Sequence, residues 1–145
     1  MQETKEFSGI EDMLKNWTED QRRLKQAFLE LREVLSAMKN TTMLFKARPG
    51  ISYSIRASII KPNKEKRRMF ALIDIIDDTE KWLSVCFFDG TITDRDELGN
   101  MIPNGIVGED GYCFDLEEYD DYLISYIKGR INEAYEKVSG ERFRE

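Results

Sequence analysis

The sequence predicts an α+β domain, with helices at both ends and an antiparallel β-meander between them. Three observations predict it. Apolar residues recur every three or four positions from Ile10 to Met38, and again from Leu116 to Val138, which is the spacing of amphipathic helices. Between these stretches Ile51, Tyr53, Ile55, Ala57 and Ile59 alternate with Ser52, Ser54, Arg56 and Ser58, the pattern of a half-buried strand. The links between successive apolar runs in the middle third are short and polar, which favours hairpins over crossovers.

The elements follow in order. Residues 9–39 read as one long helix or two consecutive ones. Ser8 with Glu11 matches a capping box, and Ile10, Leu14, Trp17, Leu24, Phe28, Leu31, Leu35 and Met38 form the apolar stripe. Thr18 with Gln21 is a second capping box that places a break near Thr18, and Asn40 is the expected C-terminal stop. Residues 42–88 read as a three- to four-stranded antiparallel meander. Its strands fall at about 51–59, 69–76 and 82–88, with 42–47 as a further short strand and Pro49-Gly50 as a turn. Residues 89–113 carry Gly90, Gly99, Pro103, Gly105, Gly108 and Gly111 and read as a glycine-rich irregular loop. Residues 115–138 read as the C-terminal helix, opened by a capping box of Asp115 with Glu118 and a staple of Phe114 with Tyr119. The chain of 145 residues is the size of one domain, so 1–145 is treated as a single unit.

Composition narrows the function classes by exclusion. The chain contains no histidine, which removes a Ser-His-Asp triad, a Cys-His dyad and every His-ligated metal site. The net charge of −6 repels phosphate backbones and anionic membrane surfaces. No apolar run approaches the ~18–20 residues of a membrane helix, and the polar N-terminus lacks the apolar core of a secretory signal. The expected address is therefore the cytoplasm, with Cys86 and Cys113 reduced unless the fold brings them together. Their separation of 27 residues fits neither a metal-ligand spacing nor a C-x-x-C redox pair. No G-x-G-x-x-G, Walker loop, G-x-S-x-G or zinc pattern occurs. No cofactor, metal or catalytic residue is assigned.

The strand pattern supplies the candidate site. If the helices cover the face bearing Ile55, that face also holds Ile51, Tyr53, Ala57 and Ile59, then Met69, Ala71, Ile73 and Ile75, then Leu83, Val85 and Phe87. The opposite face then carries Arg56, Asp74 and Ser84 as a polar row, flanked by Phe70, Trp82 and Phe88. One reading makes Arg56 and Asp74 a cross-strand ion pair with the aromatics packed under the 89–111 loop. The other makes the face a small-ligand pocket or a protein-binding surface.

Other clusters have simpler readings beside their functional ones. The basic stretch Lys61, Lys64, Lys66, Arg67 and Arg68 is a solvated hairpin loop, or else a phosphate or nucleic-acid contact that lacks interleaved aromatics. The acidic run from Asp115 to Asp121 suits the positive end of a helix dipole better than a metal. Asp94, Asp96 and Glu97 resemble a calcium loop only in part, because the twelfth position counted from Asp94 is Gly105. The N-terminal apolar stripe covers the sheet, or it is a seam through which two chains form a homodimer. The resulting expectation is a non-catalytic binding or protein-interaction module with a protein or small-ligand partner. The alternative is a histidine-free enzyme using Asp74 with Arg56, or a Cys113 thiol activated at a helix start.

Overall fold

The computed structural model describes residues 5–61 and 66–140. Its elements are α1 (Lys5–Asn16), α2 (Leu24–Ser36), β1 (Thr41–Arg48), β2 (Ser52–Lys61), β3 (Lys66–Ile76), β4 (Trp82–Phe88), β5 (Asn100–Ile106), β6 (Glu109–Leu116) and α3 (Asp121–Ser139). The α+β class and the order of helices around an antiparallel sheet follow the sequence pattern. The sheet is larger than expected, with six strands in the order β1-β2-β3-β4-β6-β5.

The N-terminal region is two helices. The chain breaks between Asn16 and Leu24, where Arg23 takes a left-handed conformation (φ 57°). Neither expected capping box caps a helix: Ser8 lies inside α1, and the Asp20 carboxylate, rather than Thr18, accepts the Lys25 N–H at 3.0 Å. α2 ends at Ser36, short of Asn40. Ile10, Leu14, Trp17, Leu24, Phe28, Leu31 and Leu35 are all buried in one apolar cluster with Ile55, Ile73, Leu83, Val85 and Phe114 of the sheet. Each such side chain contributes about 1.5–3 kcal/mol through burial. The stripe is thus consumed within the chain.

The expected irregular loop at 89–113 is corrected in its second half, which is the hairpin β5–β6. The turn is Val107-Gly108, with φ 49° and φ 79°. Two left-handed residues in succession make the turn that matches strand twist. Gly99 is there for a different reason. A Cβ at that position would sit 2.8 Å from the Phe114 and Tyr112 rings. Gly108 and Gly99, which resembled loop punctuation, therefore serve a tight turn and a close ring contact.

The C-terminal helix is corrected as well. Asp115 and Leu116 belong to β6, and α3 starts at Asp121. Asp120 is its N-cap and accepts the Leu123 N–H at 3.1 Å. Of the acidic run, only Asp120 and Asp121 meet the helix start.

All three helices lie on the Ile55 face. On β3 the pairing slips. Ala57 faces Ala71 while Ser58 faces Met69, so Phe70 is the extra residue of a β-bulge. The bulge reverses side-chain parity below Ala71. Phe70 turns into the core, fully buried, with its ring 5.5 Å from that of Tyr135 in α3. Met69 takes the opposite face, where it packs against Leu72, Cys86, Ile106 and Cys113.

Candidate functional site

No helix among the described residues packs on the second sheet face, and its strands align into rungs. One rung is polar from end to end. Lys46 of β1 faces Ser54 of β2, Ser54 faces Asp74 of β3, Asp74 faces Ser84 of β4, and Ser84 faces Asp115 of β6. The next rung runs Leu44, Arg56, Leu72, Cys86 and Cys113. On the other side lie Arg48, Ser52, Ile76 and Trp82.

The expected row of Arg56, Asp74 and Ser84 is therefore corrected at one position. Asp74 and Ser84 are cross-strand partners, as the sequence suggests. Arg56 faces Leu72, one rung along, and Ser54 takes its place opposite Asp74. The Ser54 hydroxyl donates to the Asp74 carboxylate. Trp82 is half-buried on this face. Phe88 is also half-buried, and it packs against the Leu72–Cys86–Ile106–Cys113 cluster at the β5–β6 end. Phe70 leaves the site for the core.

Burial raises the Asp74 pKa above the usual carboxylate value, while the Ser54 hydrogen bond and the charges of Arg48 and Arg56 pull it back. Arg56 Nε is buried and has no hydrogen-bond partner among the described residues. Asp115 is likewise raised by burial and then by its neighbour Glu117. Lys46, Arg48, Asp115 and Glu117 are exposed. The face is thus basic along the β1 edge and acidic along β6, with Leu72, Ile76 and Trp82 between.

Cys86 and Cys113 face each other across β4 and β6, with Cα atoms 4.1 Å apart, and they form a disulfide. This overturns the expectation of two reduced thiols. It also removes Cys113 as a reactive group at a helix start, since it lies mid-strand.

Other clusters serve the fold. The Asp94 carboxylate accepts hydrogen bonds from Tyr112 Oη (2.6 Å), Tyr126 Oη (2.7 Å), Gly99 N–H (2.9 Å) and Leu98 N–H (3.0 Å). Burial acts to raise its pKa, but these donors together outweigh burial and lower it to about 2. The same bond pushes Tyr112 up to about 12. Asp94 therefore pins the segment before β5 to β6 and α3. A cavity of about 460 Å³ lies between the α1–α2 link and the β3–β4 turn. Arg22 spans it, donating to the Lys81 carbonyl at 2.8 Å and the Glu117 carbonyl at 2.6 Å.

Among the described residues no group of three or more His, Cys, Asp or Glu side chains is arranged to hold a metal. No described helix is long and apolar enough to cross a membrane. Of the basic stretch, residues 62–65 lie outside the described residues. Arg67 and Arg68 are exposed at the start of β3, with the Arg68 guanidinium 5.9 Å from the Phe88 ring centre.

No family model matches this chain, no curated protein matches it in sequence, and no solved structure matches its fold. The site is therefore defined by its own geometry. Lys46 lies within the expected 42–47 strand, but the face assignment rests on the other three strands alone; Arg48 lies one residue beyond that expected strand. Asp115 was missed because it was assigned to a helix.

Proposed function

We propose that the protein is a binding module whose partner, another protein surface, docks on the open face of the sheet. One observation carries this reading. Three helices cover one face and no described helix covers the other, where Ile106 of β5 packs only at the Leu72–Cys86–Cys113 end; the rest of that face combines half-buried Ile76 and Trp82 with charges at both margins that form no ion pair among the described residues. A face made only for solvent carries polar residues at alternate positions. Apolar centres with polar rims are the anatomy of protein interfaces.

The enzyme alternative draws on the raised Asp74 carboxyl, but structural burial alone produces that shift, and Arg56 is not its cross-strand partner. The helical homodimer seam has lost its motive, because the N-terminal stripe is buried within the chain. A cytoplasmic address and a closed disulfide pull in opposite directions, since reducing compartments keep thiols open.

Site-specific photo-crosslinking tests the proposal. A photoreactive residue placed at Ile76 should form covalent protein adducts in cells, whereas one at Ser125 on the outer side of α3 should not. Equal adducts from both positions, or none from position 76, would overturn it.

A further inference from the structure

The polar rung has a direction. Its β1 end is basic through Lys46, with Arg48 two residues on. Its β6 end is acidic through Asp115, with Glu117 two residues on. None of these four side chains forms an ion pair among the described residues. Glu117 is engaged only through its carbonyl, which accepts Arg22 Nη1 at 2.6 Å. A uniformly acidic or basic partner would be attracted at one margin and repelled at the other.

A second copy of the same chain resolves this mismatch. Two sheets that pack face to face lie ~10 Å apart with strands nearly aligned. A two-fold axis running along β3, in the plane between the sheets, turns each sheet over and exchanges its margins. β1 then lies over β6 of the partner, and β2 over β4. Rungs keep their level under this rotation. Lys46 therefore meets Asp115 of the partner subunit, and Arg48 meets Glu117 of the partner subunit. Each contact occurs twice, as an isologous interface requires. Half-buried Ile76 and Trp82 close on the rung of Arg48, between the two charged margins. Asp74, on the axis strand, faces its own copy, and Arg56 on the neighbouring strand and rung reaches towards that carboxylate. The buried Arg56 Nε, which has no hydrogen-bond partner among the described residues, gains an acceptor there.

We infer that the occupant of the open face is a second copy of this chain, docked by two-fold symmetry with the basic β1 margin of each subunit on the acidic β6 margin of the other. This inference rests on the proposed role of the open face and names its partner.

The test is a charge exchange read by sedimentation equilibrium. The wild-type chain should be a dimer. Lys46→Glu with Arg48→Glu should weaken self-association by roughly 100-fold, because all four margin contacts become repulsive. Asp115→Lys with Glu117→Lys should do the same. A 1:1 mixture of the two variants should restore a dimer, since every contact between unlike copies is again between opposite charges. All four side chains are exposed, and unchanged far-UV circular dichroism confirms that each variant folds. A wild-type chain that stays monomeric at about 1 mM, where even weak association shows, overturns the inference. So do variants that still dimerise alone, or a mixture that stays monomeric. A monomeric chain that nevertheless crosslinks from position 76 to a different protein removes the second copy and leaves the open-face reading standing. Absence of any adduct from position 76 removes that reading itself.

Discussion

The bulge on β3 decides which residues the open face presents, so truncating Phe70 and Met69 in turn tests the register directly. Without the bulge, strict alternation puts Phe70 on the open face and Met69 in the core. The structure makes the opposite assignment: Phe70 is fully buried against Tyr135, while Met69 is half-buried on the uncovered side. Phe70→Ala removes a whole ring from a packed interior and should cost about 3–5 kcal/mol. Met69→Ala gives up only part of a side chain that water already reaches, and about 1 kcal/mol is the expected loss. For a chain of this length the first change corresponds to a fall in Tm of roughly 10–15 °C, and the second to only a few degrees. Urea unfolding followed by circular dichroism measures both, and unchanged slopes show that only stability has moved. If Met69→Ala costs as much as Phe70→Ala, or more, the bulge is misplaced and the rungs built on it fall with it.

Three further outcomes follow from named contacts. The Asp94 pKa is lowered to about 2 from an ordinary 3.8, so its contribution is fully present above pH ~4 and is lost as pH falls towards 2; Asp94→Asn should flatten acid unfolding in that window, and an unchanged acid limb would contradict the pin. Val107 is β-branched at φ 49°, so Val107→Asn, giving the Asn-Gly pair that such turns favour, should stabilise by about 1 kcal/mol, and a lower Tm would count against the turn. Closing a 27-residue separation should stabilise by about 3–4 kcal/mol on a loop-entropy basis; protein alkylated without reductant should keep its unmodified mass, and full alkylation of Cys86 and Cys113 would contradict the disulfide.

The parts of the fold that could be read from the sequence are those with a single unambiguous period. Ser52 to Ile59 alternates cleanly, and β2 forms there. The helical stripe from Ile10 to Leu35 is periodic throughout, and its break near Thr18 was marked by a local signal even though Asp20 does the capping. The run Met69-Phe70-Ala71-Leu72 is apolar at every position, so alternation carries no parity information, and a one-residue bulge reversed the assignment of Phe70. β5 was hidden for a related reason. It is an edge strand that is mostly exposed, contains Pro103, and shows no alternation of burial. β6 was readable in principle, since Tyr112, Phe114 and Leu116 alternate with Cys113 and Asp115. Asp115 and Glu118 fitted a capping box equally well, and the helical reading displaced it. Once Cys113 is on a strand beside Cys86, register places the two cysteines directly opposite each other. Of the candidate site, Asp74, Ser84 and Trp82 stand where the sequence puts them. Arg56 is one rung away, and the charged margins needed the full sheet.

Amide chemical-shift mapping of the ¹⁵N-labelled chain, compared between dilute and concentrated samples, would test the docking of a second copy on the open face most directly. Shifts should concentrate on Lys46, Ser54, Asp74, Ser84 and Asp115 and on the Trp82 indole, while the outer positions of α2 and α3 stay still. Shifts confined to the helices, or spectra that do not change at all with concentration, would contradict it.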